Sequence, residues 1–339
     1  MSLSFRNLFL FVRAYKYFHY RKAVNWLKLV LTFWLSRIGI PVNVALQPFF
    51  ISVEPSNFCN LNCPQCPVGN GESASFKKKM TMNIDLFVQL IDELKSSLFH
   101  LIFYFQGEPL IHNQFCEMVS YAHQAGIFTS TSTNAQFIDR ELARKIVQSG
   151  LDKLIVSVDG ATQEVYEQYR VGGSLELTLE AIKHIQHWKQ VLHSKTPFLE
   201  IQFIVFKNNE HQIDDMKALA KRLKVDSFQL KTAQLYNYEN GHDLLTTIDK
   251  YARYKYVGQD KLQIKSKLKN RCWRMWSGSV VTAKGDVLPC CFDKFEQHSY
   301  GNFAQSSFLS TWQNQKSQTF RLQIHSNRKH FDMCRNCTE

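Results

Sequence analysis

The first 50 residues contain no aspartate and no glutamate. Nor does the 339-residue chain offer the roughly 20 uninterrupted apolar residues that a membrane-crossing helix needs. Its most apolar stretch, Ala23 to Ile40, is broken by Asn25, Lys28 and Arg37. A spanning segment is therefore excluded there. The expectation is a basic amphipathic N-terminal helical extension over residues 1–49, one or two helices packed on the main domain. A weak contact with an anionic membrane surface through this N-terminus is the alternative use of so basic a segment. The opening Met-Ser-Leu-Ser-Phe-Arg lacks the basic start, clean apolar core and small-residue cleavage site of a secretory signal, so a cytoplasmic location is expected. No nucleic-acid module is recognisable, so the net charge of +12 is not read as a nucleic-acid footprint. Internal repeats and low-complexity tracts are also missing.

A further absence carries more information. Cys59, Cys63 and Cys66 form a Cys-x3-Cys-x2-Cys loop just after an apolar stretch, and no fourth cysteine lies nearby. A structural zinc site closes its shell with four ligands. A cubane iron–sulfur cluster has four iron corners, usually held by four cysteines. Three thiolates would leave one iron open to another ligand. The nine cysteines are too clustered for a secreted disulfide framework. In a reducing compartment they serve metal better than disulfides.

What is present is alternation. Strand patterns at Phe50–Val53, Leu98–Phe105, Ile127–Thr131, Lys153–Val158, Phe198–Phe206 and Ser227–Leu230 alternate with helical patterns. The helices are expected at Ile84–Ser97, Gln114–Ala125, Arg140–Ser149, Leu175–Leu192 and Gln212–Leu223. Asp139 is placed to cap the third helix, and Gly126 and Gly150 to stop two of them. Such alternation predicts βα units around a parallel sheet. About six units fit, too few for a closed eight-fold barrel. The fold class expected is α/β, a partial (β/α)6 TIM-like barrel over residues 50–235. Residues 236–270 read as a polar connector. Residues 271–339 read as a small domain with a β-hairpin, Ser279–Thr282 with Val287–Leu288, plus a helix, Phe308–Ile324.

Polar motifs follow the predicted strands in order: the cysteine loop, Gln106-Gly-Glu-Pro109, Ser132-Thr-Asn134, Ser157-Val-Asp-Gly160 with Arg170 downstream, and Lys207-Asn-Asn-Glu210. In a parallel barrel the strand C-termini are where function gathers. With the three-cysteine loop, this series resembles the core of the radical S-adenosylmethionine (SAM) enzymes. The resemblance implies that Cys59, Cys63 and Cys66 hold a [4Fe-4S] cluster whose open iron binds SAM. It implies that Gly107, Glu108 and Pro109 receive the methionine amino group, although Gln106 stands where the motif's first glycine is usual. Ser132 or Asn134 would hold the ribose, Ser157 and Arg170 the carboxylate, and Asn209 would lie near adenine. The implied chemistry is reductive cleavage of SAM to a 5′-deoxyadenosyl radical that abstracts a substrate hydrogen. Gln65 departs from the aromatic residue often found before the last cysteine.

A second set comprises Cys272, Cys290, Cys334 and Cys337. Spacing alone leaves zinc and [4Fe-4S] open. Cys-x12-Gly-x4-Cys followed by Cys-x2-Cys resembles the SPASM group, especially its shortened "twitch" form. That implies a second, auxiliary [4Fe-4S] cluster, and the chain ends too soon after Cys337 to supply ligands for a third. Cys291 reads as a non-ligand thiol and Cys116 as core. Asp293 is the acidic candidate for a general base; its plainer reading is a surface charge at the hairpin end. Partners implied are a peptide or small-molecule substrate and a low-potential electron donor such as flavodoxin or ferredoxin. Lys250–Arg274, with nine Lys and Arg against one Asp, could attract an acidic substrate or reductant, but a solvated connector is the favoured reading. A non-catalytic Fe–S electron-transfer or zinc-binding protein would explain the cysteines but not the motif series.

Overall fold

The computed structural model describes residues 14–38, 46–72, 78–236, 238–258 and 261–338. Arg6, Phe9, Phe11 and Arg13 of the basic N-terminus, Gly39 and Ile40, and Asp260 lie outside the described residues. A helix α1 (Tyr20–Arg37) precedes the first strand. Six parallel strands then run in chain order: β1 (Phe50–Val53), β2 (His100–Ile102), β3 (Phe128–Thr133), β4 (Lys153–Ser157), β5 (Phe198–Val205) and β6 (Ser227–Thr232). Between them lie α2 (Ile84–Leu94), α3 (Phe115–Gln124), α4 (Arg140–Gln148), α5 (Gln163–Tyr169), α6 (Leu175–Val191) and α7 (Ile213–Arg222).

Local chemistry sets these boundaries. Asn83 accepts the N–H groups of Asp85 and Leu86, Asp139 that of Leu142, and Ser174 that of Leu177. Each satisfies amide donors that a helix start leaves without partners. Gly126 and Gly150 stop α3 and α4 with φ of 70° and 81°, a region glycine enters without a Cβ clash. The second strand is shorter than the sequence implies. Past Ile102 the chain turns inward, and the Tyr104 carbonyl is taken by the Ser52 hydroxyl instead of a neighbouring strand.

Strand alternation separates two environments. Ile51, Leu101, Phe103, Val156, Leu199, Ile201 and Phe203 join the buried core shared with the helices. The opposite face is polar. His100 Nε2 lies 2.8 Å from Ser130 Oγ, and Lys153 Nζ lies 3.0 Å from Glu200 Oε1. Burial first, then the charges of Lys153 and Arg274, pushes the His100 imidazole down to about 3. The ring is neutral in the folded protein.

The C-terminal part departs from expectation. Its hairpin, β9 (Gly278–Val281) with β10 (Asp286–Leu288), does not form a sheet of its own. β9 pairs parallel to β1, from Phe50↔Gly278 to Val53↔Val281. β11 (Gly301–Asn302) then pairs with β10, so nine described strands form one sheet in the order β11-β10-β9-β1-β2-β3-β4-β5-β6. β1 would otherwise be an edge strand, and β9 covers that row of backbone groups. The connector is also not featureless: β7 (Tyr254–Val257) and β8 (Lys261–Ile264) form an antiparallel hairpin. After α8 (Trp273–Ser277), the helix expected at Phe308–Ile324 is two, α9 (Phe308–Gln313) and α10 (Gln315–Asn327). Asn314 is extended and its side chain caps α10 at Ser317 N. A short α11 (Asp332–Arg335) ends the described chain.

Helix α1 closes the barrel at the N-terminal ends of the strands. Lys22 Nζ donates to the Gly126 carbonyl at 2.5 Å and Asn25 Nδ2 to the Gln47 carbonyl at 3.0 Å. Just before it, Tyr17 OH donates to Asp152 Oδ1 at 2.7 Å. Leu29 and Phe33 pack on Leu46 and Trp276. Among the described residues, no helix is long and apolar enough to cross a membrane.

Candidate functional site

The cysteine loop leaves the C-terminal end of β1 and folds over the barrel mouth. Cys63 is buried, and Cys59 and Cys66 are partly exposed. Gly69 packs so closely on the Cys63 backbone that a Cβ would overlap it. Gln65 ties the loop down: its Oε1 accepts Tyr236 N at 2.8 Å and its Nε2 lies 3.0 Å from His242 Nε2. Here Gln65 reaches the connector, a job the aromatic residue usual at this position could not do with the same two polar atoms.

Two clusters of polar side chains abut the loop. The first centres on Glu108, which is fully buried. It accepts from Thr133 Oγ1 at 2.6 Å, Asn134 N at 2.9 Å and Leu110 N at 3.2 Å. Burial raises its carboxyl, and these hydrogen bonds pull the other way. Asn134 Nδ2 lies 3.6 Å from Cys59 Sγ. Gly107 has φ +62° and presses on Ser56 and Phe58, where a Cβ would clash with backbone. Pro109 opens the short turn after Glu108.

The second centres on Arg170. Its Nε and Nη2 both lie 2.6 Å from Asp159 Oδ2, and Nη1 lies 3.9 Å from Cys63 Sγ. Burial opposes the guanidinium charge, but Asp159 and the Cys63 sulfur outweigh it and raise Arg170 further. Asp159 Oδ1 also accepts Ile204 N at 2.6 Å, fixing the end of β5. Sequence reasoning quoted Asp159 within a motif but gave it no role, since acids after strands are common. Asn209 is committed to backbone. Its Nδ2 donates to the carbonyls of Asp159 and Ile204, and its Oδ1 accepts from Phe206 N at 2.8 Å. Ser132 and Ser157 sit at the C-terminal ends of β3 and β4 and are the least engaged of the expected residues.

Cys272, Cys290, Cys334 and Cys337 are all buried. Arg328, itself buried, donates from Nη2 to Cys337 Sγ at 3.1 Å and from Nη1 to the Arg271 carbonyl at 2.7 Å. Burial opposes its charge; Cys272, Cys337 and Cys334 favour it. A buried cation beside Cys272, Cys334 and Cys337 fits thiolates carrying net negative charge. Burial alone would keep such thiols protonated: it pushes Cys59 up to about 12 and Cys334 to about 11. Among the described residues, no three Cys, His, Asp or Glu side chains are gathered as a single metal ion would require. No disulfide joins any of the nine cysteines.

Asp293 is buried, which corrects the surface-charge reading. Oδ1 accepts Gln297 N at 2.9 Å and Oδ2 accepts His298 N at 3.0 Å. Burial raises its carboxyl against those two bonds. The next residue locks this loop to the barrel: Gln106 Nε2 donates to the Lys294 carbonyl at 3.0 Å, and Lys294 Nζ to the Phe105 carbonyl at 2.9 Å. Asp293 and Lys294 line a cavity of about 350 Å³ with Tyr236, Tyr238, Arg335 and Asn336. One wall thus belongs to the segment tied to Gln65, and another to the turn between Cys334 and Cys337. The tyrosines of the expected connector are cavity walls. Burial pushes Tyr236 up to about 12, with Cys66 adding to the shift.

Two family models match the chain. The radical SAM superfamily model matches residues 53–187, and the SPASM iron–sulfur cluster-binding domain model matches 272–338. The chain belongs to the radical SAM superfamily and carries a C-terminal SPASM domain. Among curated proteins, it is 23% identical over 305 residues to a tungsten-containing aldehyde ferredoxin oxidoreductase cofactor-modifying protein of Pyrococcus furiosus. That match covers 80% of this chain and 83% of the relative. It is 28% identical over 177 residues to a mycofactocin maturase of Mycolicibacterium smegmatis, covering 52% of this chain and 42% of the relative. The chain therefore spans less than half of that maturase. In fold it is similar to SuiB of Streptococcus suis solved with S-adenosylmethionine, with a TM-score of 0.62 and 14% identity, covering 86% of this chain and 72% of SuiB.

Proposed function

We propose that this enzyme reductively cleaves SAM and uses the resulting radical to abstract hydrogen from a peptide bound between its two cysteine sets. The observation that carries the reading is the cavity of about 350 Å³, walled on one side by residues tied to the three-cysteine loop and on the other by the four-cysteine domain. The peptide substrate is supported by the maturase relative and by SuiB, whose structure with its precursor peptide has the same fold.

Cys59, Cys63 and Cys66 would hold the SAM-binding [4Fe-4S] cluster, and Cys272, Cys290, Cys334 and Cys337 the auxiliary one. When bound with SAM, the first cluster supplies the electron that breaks the sulfonium C–S bond, giving methionine and a 5′-deoxyadenosyl radical. The chain's residues bind and orient. Gly107, Glu108 and Pro109 present a buried carboxyl to a cationic amino group; Glu108 is already aimed by Thr133 and Asn134. Arg170, held by Asp159, offers its remaining donors to a carboxylate, with Ser157 beside it. Ser132 or Asn134, at and just past the end of β3, would hold the ribose. Asn209 acts at one remove, by holding the Ile204–Phe206 backbone against which adenine would rest. Asp293, with its raised carboxyl, would take the proton that the substrate radical loses, and the auxiliary cluster would take the electron lost with it.

The electron donor we assign is an acidic flavodoxin or ferredoxin. Lys250, Lys255, Lys261, Lys267 and Lys269 are exposed and would steer it. A reducing cytoplasm suits nine cysteines without disulfides. The test is anaerobic incubation with SAM and dithionite. The expected product is 5′-deoxyadenosine, carrying deuterium when a true substrate peptide is labelled at the reacting carbon. No 5′-deoxyadenosine from fully iron-loaded protein would sink the assignment.

A further inference from the structure

Helix α1 buries a mixed face and exposes an apolar one. The face against the barrel buries Lys22, Asn25, Leu29, Thr32 and Phe33. The other face exposes Tyr20, Val24, Leu27, Leu31, Trp34 and Ile38. Their spacing of four, three, four, three and four residues puts them in one straight stripe over five turns. Leu27, Leu31 and Trp34 are 58%, 60% and 56% exposed, and Tyr20 and Ile38 more than 70%. A folded enzyme gains nothing by showing water such a stripe, and contiguous apolar patches mark contact surfaces.

The flanks of the stripe are cationic. Arg21 and Lys28 border one side, Arg37 the other, and all three are exposed. Lys16, also exposed, lies one turn before the helix. No acid occurs anywhere in the first 50 residues. A second copy of this helix would bring like charges together along either pairing direction, which disfavours self-association. An apolar ridge bordered by long cationic side chains matches an anionic bilayer surface: the ridge enters the headgroup boundary and the cations reach the lipid charges.

We propose that the exposed face of α1 docks the enzyme on an anionic lipid surface. The placement in the fold agrees. The buried face of α1 covers the N-terminal ends of the strands, through the Gly126 and Gln47 carbonyls. The cysteine loop and the cavity lie at the opposite, C-terminal ends. A docked molecule keeps its mouth turned away from the bilayer, open to substrate and electron donor.

Flotation of the full-length, iron-loaded protein with lipid vesicles tests this. Phosphatidylglycerol-containing vesicles should carry the protein upward, and pure phosphatidylcholine vesicles should carry much less. Raising the salt should weaken the anionic binding, because the lysine and arginine contribution is screened. Leu27→Glu with Leu31→Glu should lower vesicle binding about tenfold or more, since apolar insertion is lost. Both side chains are more than half exposed and lie off the buried face of α1, so iron content and melting temperature should stay close to the parent. Arg21→Gln with Lys28→Gln should weaken the preference for anionic lipid, which Arg37 and Lys16 then carry alone, while leaving weak binding to both vesicle types. Failure of the parent to float with either vesicle would overturn the proposal. A dimer in solution that the Leu27/Leu31 variant dissolves would give the face to a second copy, and retention on immobilised polyglutamate without vesicle binding would give it to an acidic protein. Either result also overturns it. None of these readouts depends on SAM cleavage.

Discussion

Arg170 and Asp159 show how one pair serves both fold and site. Asp159 is fully buried, and its carboxylate holds both the guanidinium and the end of β5. Removing the cation leaves a buried charge without its partner. Arg170→Ala should therefore destabilise the protein by about 3–5 kcal/mol as well as weaken SAM binding. Arg170→Lys keeps a charge but not the planar fork, so it should weaken SAM binding with a smaller loss of stability. Thermal melting and SAM titration together check this. Unchanged SAM affinity in both variants would remove Arg170 from the binding site. A second residue, Glu54, carries a pH signature. It is buried at the end of β1, accepts Ala283 N at 3.1 Å and faces Glu296 and Lys294. Burial raises its carboxyl from 4.5 to about 7. The folded state thus binds this proton more tightly than the unfolded state. Below the unfolded pKa both states are protonated and Glu54 has no effect. As pH rises from about 4.5 to about 7 stability falls, by on the order of 3 kcal/mol. Glu54→Gln should remove that fall, so its melting temperature should exceed the parent's above pH 7 and nearly match it near pH 4. A parent and variant with parallel profiles would show that Glu54 is ionised at no cost.

At the scale of elements, the two cysteine sets differ in how they are built. The first is one loop, packed on itself where Gly69 meets Cys63 and tied to the connector by Gln65. The second is gathered from α8, the β10 end and the chain's last described turns, around Arg328. They should load independently. Reconstituted parent should hold about eight irons, from two cubanes. The Cys59/Cys63/Cys66→Ala variant should keep about half and make no 5′-deoxyadenosine. Iron analysis decides it, and zinc in place of the remaining iron would contradict the auxiliary cluster. Gly107 is a backbone requirement of the same region. Gly107→Ala should cost roughly 1–3 kcal/mol in strain at φ +62° and displace Glu108.

For the whole molecule, the key contact runs between the domains that the family models treat separately. β9 extends the barrel sheet beyond β1, and Gln106 and Lys294 lock the auxiliary loop to the motif that precedes Glu108. Cys334→Ala should nevertheless spare the three-cysteine site, whose described cysteine contacts run to Asn134, Arg170 and Tyr236. SAM binding and slow, substrate-independent cleavage should persist, while turnover of the true substrate collapses. A folded variant lacking auxiliary iron that still turns over substrate at the parent rate would make the second cluster structural only.

The sequence by itself determined what local chemistry determines. Period and capping residues marked the six parallel strands and five of the helices between them to within a few residues, because Asn83, Asp139, Ser174, Gly126 and Gly150 act within one turn of their own position; α5 and the β7–β8 hairpin were not marked. The cysteine spacings, Gly107-Glu108-Pro109 and Arg170 were legible because their roles are set by residue type and by position after a strand. Only the tertiary structure decided what depends on a distant partner. Asp159 looked like any acid after a strand until Arg170 closed on it. Asp293 looked exposed until the Gln297 and His298 amides enclosed it. Asn209 looked like a ligand contact until three backbone groups occupied its amide. Tyr236 looked like connector until the cavity formed around it, and the hairpin looked autonomous until β9 paired with β1. The strand pairing and the cavity wall join segments far apart in the chain, while the contacts of Asp159, Asp293 and Asn209 depend on how their loops close and what is buried there; neither period nor spacing encodes them.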